Sequence, residues 1–208
     1  MLKLFYAAGT CALAPHIALE ECGAQYQAVR IDFGKDEQKQ PDYLAINPKA
    51  RVPALVADQG VLTETPAILA FIAQLHPEAA LAPFDDAFAF ARVQAFNSYL
   101  CSTVHVAHAH GRRGYRWVDD PAAIEAMRRK VPETVGACFS LMEREMFVGP
   151  WVMGDTYTIC DPYLFTIATW LEADGVGPAS FPRIHDHRQR MSRRPAAMRA
   201  IAQEQSRP

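Results

Sequence analysis

The hydrophobic pattern changes character along the chain. Over the first eighty residues the apolar runs are short and are broken by Gly, Asp and Pro. Residues 3–6 read as a short strand, Gly9-Thr10 as a turn, and residues 15–21 as a helix with Gly23 just past its end. Residues 26–32 alternate as a strand does. Residues 34–47 are polar, with one helical turn at Tyr43-Leu44. Residues 54–57 and 61–63 read as strands joined by Asp58-Gln59-Gly60, a hairpin loop ending in Gly. Thr65 is a favoured N-cap and Pro66 a favoured first helical residue. Behind them Ile68, Leu69, Ile72 and Leu75 keep helical spacing. The order is β-α-β, a linking helix, then β-β-α.

After a Pro-rich linker at residues 77–83 (PEAALAP) the strand signals stop. The spacing predicts helices at about 86–115, 121–146, 159–173, 182–192 and 196–204, with breaks at Gly149-Pro150 and residues 175–178. Thr158-Ile159-Cys160-Asp161 has the form of a capping box, the acid standing where Glu is usual. That work explains Asp161 without a ligand. The predicted architecture is a small α/β domain followed by an all-helical one.

Composition narrows the function. The chain has 208 residues, half of them hydrophobic, with a formal charge of −2. That length suits one large or two small domains and needs no metal or disulfide to support its core. The charge recommends neither nucleic acid nor an anionic membrane as partner. No apolar run reaches the ~20 residues of a membrane span, and Gly9 and Pro15 interrupt the apolar start, so a cytoplasmic location is expected. The five cysteines form no CxxC pair and read as free thiols, one of them special.

Four places carry candidate chemistry. Cys11 lies between a strand and a helix start, where N–H groups and the helix dipole favour a thiolate; it reads equally as a small buried residue. Val52-Pro53 precedes a strand. A cis bond there would free the Val52 N–H and C=O to pair with an extended peptide, whereas a trans bond would merely start an edge strand. Glu64-Thr65 at a helix start can accept an ammonium and hold a carboxylate, besides capping the helix. In the first long helix Ser98, Cys101 or Ser102, His105, and His108 or Ala109 share a face. His105 and His108 are spaced for a metal but lack a third ligand, so no metal is expected.

The order of these features, more than any one of them, is specific. MLKLFYAAGTCALAPHIALEE, NPKARVPAL, LTETPAI and YTICDPYLF occur in sequence and at the right separations. In them the chain resembles the cytosolic glutathione S-transferases, in particular the bacterial beta class. The resemblance spans essentially the whole chain. It implies a thioredoxin-like glutathione-binding domain over residues 1–77 and an all-helical domain over 84–208 that forms the second-substrate pocket. It implies catalytic roles for Cys11 and His105, and glutathione contacts from Thr10, Lys35, Arg51, Val52, Pro53, Glu64, Thr65 and Ser98. Glutathione would be co-substrate, small hydrophobic electrophiles the acceptors in a detoxifying conjugation, and the assembly a homodimer. A glutathione-dependent disulfide reductase working through Cys11, or a non-catalytic glutathione-binding protein, is the alternative. Three positions depart from the class: Ala12 where Ser is common, Val106 where Lys is common, and Ser98 where Asn is common. A positively polarised His105, the N–H groups of the first helix and the Thr10 hydroxyl are the expected thiolate stabilisers. Nearby His108, His110, Arg112 and Arg113 point toward an anionic acceptor.

Overall fold

A computed structural model describes residues 1–206. The sheet holds four strands, β1 (Leu2–Tyr6), β2 (Tyr26–Arg30), β3 (Ala54–Ala57) and β4 (Gly60–Thr63), in the order β2-β1-β3-β4. β1 and β2 are parallel, with Leu4 opposite Ala28; β3 runs antiparallel to both β1 and β4. The parallel pair needs a crossover, supplied by α1 (Leu13–Glu21). A short α2 (Pro41–Leu44) precedes β3, and α3 (Thr65–Leu75) follows β4. This is a thioredoxin-like α/β layer. Every regular element beyond it is helical.

Those elements are α4 (Ala87–Tyr99), α5 (His105–Arg113), α6 (Pro121–Leu141), α7 (Cys160–Ala168), α8 (Pro182–Ser192) and α9 (Pro195–Gln205). The expected boundaries hold to within a few residues, with one instructive exception. The helix anticipated at 86–115 contains a wide turn at Leu100–Val104, where the chain is π-helical. α6 itself also runs on into such a turn, Met142–Met146. On α3, Ile68, Leu69 and Ile72 are buried as their spacing predicts, but Leu75 in the last turn is exposed.

α1 is buried on every side from Leu13 to Leu19, because the sheet and α3 cover one face while α7 and α9 cover the other. Its weak amphipathicity follows from that, since an all-round apolar helix belongs inside. His16 on α1 is fully buried and faces Glu204 at 3.2 Å and Gln203 at 3.0 Å on α9. One apolar core runs from Leu4 and Leu55 of the sheet through Ile68 and Leu69 to Phe96, Phe139 and Tyr163. The expected linker is not loose: Leu81 is 4% exposed, and its carbonyl accepts the Ile159 N–H at 2.9 Å. The α/β layer and the helices are thus packed as one body, with the start of α1 at their seam.

The capping box forms. Asp161, with no exposed surface, accepts the Thr158 N–H at 2.7 Å and the Val152 N–H at 2.9 Å. The Thr158 hydroxyl accepts the Cys160 N–H at 3.3 Å, and His187 Nε2 lies 3.0 Å from Asp161. One carboxylate thereby fixes α7, a loop and α8 together. No helix among the described residues is long and apolar enough to cross a membrane.

Candidate active site

A cleft of about 310 Å³ opens where the sheet edge meets α5. The α/β layer contributes Cys11, Arg51, Val52, Pro53, Glu64 and Thr65 to its lining. The helices contribute Cys101, His105, Val106 and Ala109 from one side, Tyr163 from α7, and Arg116 and Trp117 from the turn after α5. Seven of the ten residues expected at the site therefore meet in one cleft: Cys11, Arg51, Val52, Pro53, Glu64, Thr65 and His105. Thr10, Lys35 and Ser98 lie outside its lining.

Local chain geometry explains these placements. Gly9 has φ +72°, which turns the chain from β1 toward α1. The Thr10 hydroxyl donates to the Ala7 carbonyl at 2.7 Å and accepts the Ala12 N–H at 3.3 Å. It is spent on the turn and is no free donor to a ligand sulfur. Lys35 is exposed and paired with Asp32. Ser98 misses the cleft because of the π-helical turn: an inserted residue advances the helix beyond a 3.6-residue register, so the face that carries Cys101 and His105 does not continue back to Ser98. Such turns recur at functional sites, and here His105 follows one directly.

The Val52-Pro53 bond is cis. The preceding carbonyl, that of Arg51, is pinned by the Tyr43 hydroxyl at 2.6 Å and the Asn47 amide at 2.7 Å. Among the described residues the Val52 N–H donates to nothing. The Cys11 thiol lies 3.6 Å from the Val52 carbonyl, to which it donates. Burial pushes the Cys11 thiol up, and the Thr65 hydroxyl and the Arg113 guanidinium only partly oppose this. Burial of Cys11, 8% exposed, thus works against the thiolate expected from the helix start.

Glu64 precedes α3 with φ +71° and ψ 120°, a conformation that costs a non-glycine residue of the order of 1–3 kcal/mol. No side chain caps α3: the helix begins at Thr65, one residue earlier than the cap reading requires. Pro66 has no N–H, so the free groups in the first turn belong to Thr65 and Ala67. Lys49 Nζ holds the Glu64 carboxylate at 2.6 Å and the Thr63 hydroxyl at 2.8 Å. Lys49 and Asn47 were not picked out from sequence, although both belong to NPKARVPAL.

His105 is not positively polarised. Burial, then the neighbouring Arg113 and His108, hold its pKa down from 6.5 to about 3, and its Nε2 lies 3.2 Å from an Arg113 amino group that donates to it. Arg113 thus turns inward as expected, whereas Arg112 is exposed. His108 turns away, its Nδ1 2.8 Å from both oxygens of Asp174 and its ring stacked on Trp170 at 4.4 Å. Trp170 Nε1 in turn donates to the Gly9 carbonyl at 3.1 Å, tying the helical side to the loop that carries Cys11.

Two family models match the chain, "Glutathione S-transferase, N-terminal domain" over residues 1–74 and "Glutathione S-transferase, C-terminal domain" over residues 107–195. Glutathione S-transferase GstA of Escherichia coli O157:H7 is 31% identical over 206 residues, 98% of each chain. The chain belongs to the glutathione S-transferase family. A glutathione transferase homologue from Sulfitobacter, solved with bound glutathione, superposes with a TM-score of 0.95 at 44% identity over 98% of both chains. The bacterial beta class transferase of Sphingomonas chungbukensis gives 0.84 at 32% identity, also over 98% of both.

The buried neutral His105 has a consequence for stability. Its proton binds near pH 6.5 in the unfolded chain but only near pH 3 in the folded one. Between these values the unfolded state carries more protons, so this component of stability is lost as pH falls from 6.5 toward 3. Urea unfolding at pH 7.5 and 5.0 will show wild type losing more stability on acidification than His105→Gln. Equal losses would mean that the ring is not held neutral.

Proposed function

We propose that this cleft binds glutathione and that the bound thiolate attacks small electrophiles. The observation that carries the reading is the uncapped start of α3 beside Glu64. Free N–H groups at a helix N-terminus attract a carboxylate, and an adjacent carboxylate attracts an ammonium. Together they match the α-amino-acid end of a γ-glutamyl group, and the backbone strain at Glu64 sits where function would store it. The unpartnered Val52 N–H and its carbonyl suit an extended cysteinyl backbone by strand addition. The sulfur would then lie beside Cys11 and His105.

A thiol of pKa near 8.5–9 is only a few per cent ionised at neutral pH, and each unit of depression gains about tenfold in thiolate, ~1.4 kcal/mol. Since burial keeps Cys11 protonated, glutathione's own sulfur is the nucleophile in this reading. The new bond is sulfur to carbon, the leaving group departs with its electron pair, and the thiol proton passes to solvent. His105 takes part as a neutral ring whose orientation Arg113 and Trp170 set. A homodimer, a beta-class assignment, the division at residues 77 and 84, and a cytoplasmic location belong to the same reading. Phe88, 78% exposed, and Phe84, 39% exposed, supply apolar surface for pairing.

The test is calorimetric binding of glutathione against cysteinylglycine, which lacks the γ-glutamyl group. The dipeptide should bind about a hundredfold more weakly, since two charge-assisted contacts are lost. Equal affinities would remove Glu64 and Thr65 from the site.

A further inference from the structure

The cleft carries more positive charge than its own side chains neutralise. Among the described residues Arg51, Arg113 and Arg116 form no ion pair. Of the nearby carboxylates, Glu64 is engaged by Lys49, Asp174 by His108, and Asp120 as the cap of α6. Arg113 is the telling case. One of its amino groups donates to neutral His105, while its Nε is buried with no acceptor. Buried donors are rarely left unpaired, because the loss of water costs free energy that a partner normally returns. Burial and the Arg116 and Arg51 charges also weaken its hold on a proton, so its site is electrostatically unfavourable as it stands. Beside these cations is a flat apolar wall: Trp117, 46% exposed, with its ring backed by His110 at 4.4 Å.

Glutathione does not account for all of this. Its γ-glutamyl carboxylate is assigned to the start of α3, on the α/β side, where Arg51 also stands. Arg116 lines the opposite wall, in the turn beyond α5, and Arg113 at the end of α5 lies against His105, outside that lining. We infer that the second substrate is a planar electrophile bearing a carboxylate, its ring against Trp117 and its carboxylate on Arg116, where the unneutralised charge of Arg113 adds to the attraction. This rests on the transferase reading and names the substrate class for it.

The probes are 4-chloro-3,5-dinitrobenzoate and its methyl ester. With each, the glutathione sulfur bonds to the ring carbon, chloride leaves with the bonding pair, and the thiol proton goes to solvent. Each kcat/KM is divided by the rate of the uncatalysed reaction with glutathione, which removes the difference in intrinsic reactivity. Wild type should favour the acid by about tenfold or more on this scale. Arg116→Gln should erase most of that preference by raising KM for the acid, with KM for glutathione moving less than about threefold. Equal treatment of acid and ester by wild type would overturn the inference. So would equal loss toward both probes in Arg116→Gln, which would assign Arg116 to His105 or the thiolate, or a rise confined to KM for glutathione. If wild type binds glutathione yet conjugates neither probe, the transferase reading itself falls, and this inference with it.

Discussion

Asp161→Ala should lower the unfolding free energy by about 3–5 kcal/mol, the largest stability loss expected from a single polar substitution in this chain. The carboxylate is fully buried and takes two backbone N–H groups, from Thr158 and Val152, as well as facing His187. Alanine leaves all of them without an acceptor in a dry interior. For a chain of this size the melting temperature should fall by roughly 10 °C. Asp161→Asn should rescue little. Each carboxylate oxygen already accepts a backbone N–H, so either orientation of the amide turns an NH₂ group toward one of them. Thr158→Ala, which removes the hydroxyl that caps the Cys160 N–H and donates at 3.4 Å to Asp161, should cost about 1 kcal/mol. Thermal unfolding of the three variants checks the ranking. If Asp161→Asn were as stable as wild type, the two-oxygen arrangement would be wrong.

Glu64→Gly should move stability and binding in opposite directions. The residue sits at φ +71°, so glycine relieves backbone strain; after its greater entropy in the unfolded chain the net gain is about 1 kcal/mol. The exposed pair with Lys49 contributes little to offset this. Glutathione, by contrast, loses the acceptor for its ammonium, and affinity should drop about tenfold to a hundredfold, the range of one charge-assisted hydrogen bond. Melting temperature and calorimetric affinity on the same preparation separate the two. A variant that is both less stable and an unimpaired binder would show that the strain serves folding instead.

The sequence carried the local features well, because local physics writes them there. The hairpin at Asp58-Gln59-Gly60, the helix over residues 182–192 and the capping box around Asp161 all rest on residues a few positions apart. The cleft-lining segments were legible for a different reason, their resemblance to a family. The misses came from two other sources. A wide turn at Leu100–Val104 leaves no mark on a 3.6-residue pattern, so helical spacing places Ser98 on a face it does not share with the cleft. The rest were long-range. Nothing near His105 in sequence announces that Arg113 will donate to its ring and keep it neutral, or that Trp170 will reach the Gly9 carbonyl. Thr10 and Lys35 had the right chemistry, but their polar atoms were claimed by Ala7, Ala12 and Asp32. Burial likewise reversed the expected charge of Cys11, an effect that depends on what packs over the thiol.

The central claim is that glutathione's sulfur, and not Cys11, attacks the electrophile. The most direct test compares wild type with Cys11→Ala in two assays at pH 6.5–7.5, a window that brackets ordinary histidine ionisation. One follows conjugation of glutathione to a general aromatic electrophile, the other reduction of a glutathionyl mixed disulfide. Cys11→Ala should keep conjugation within about threefold of wild type, since no bond to Cys11 is made in the transition state. Whatever disulfide reduction wild type shows should vanish with the thiol. Loss of conjugation by about a hundredfold or more, with glutathione still bound, would contradict the account and make Cys11 the reacting group.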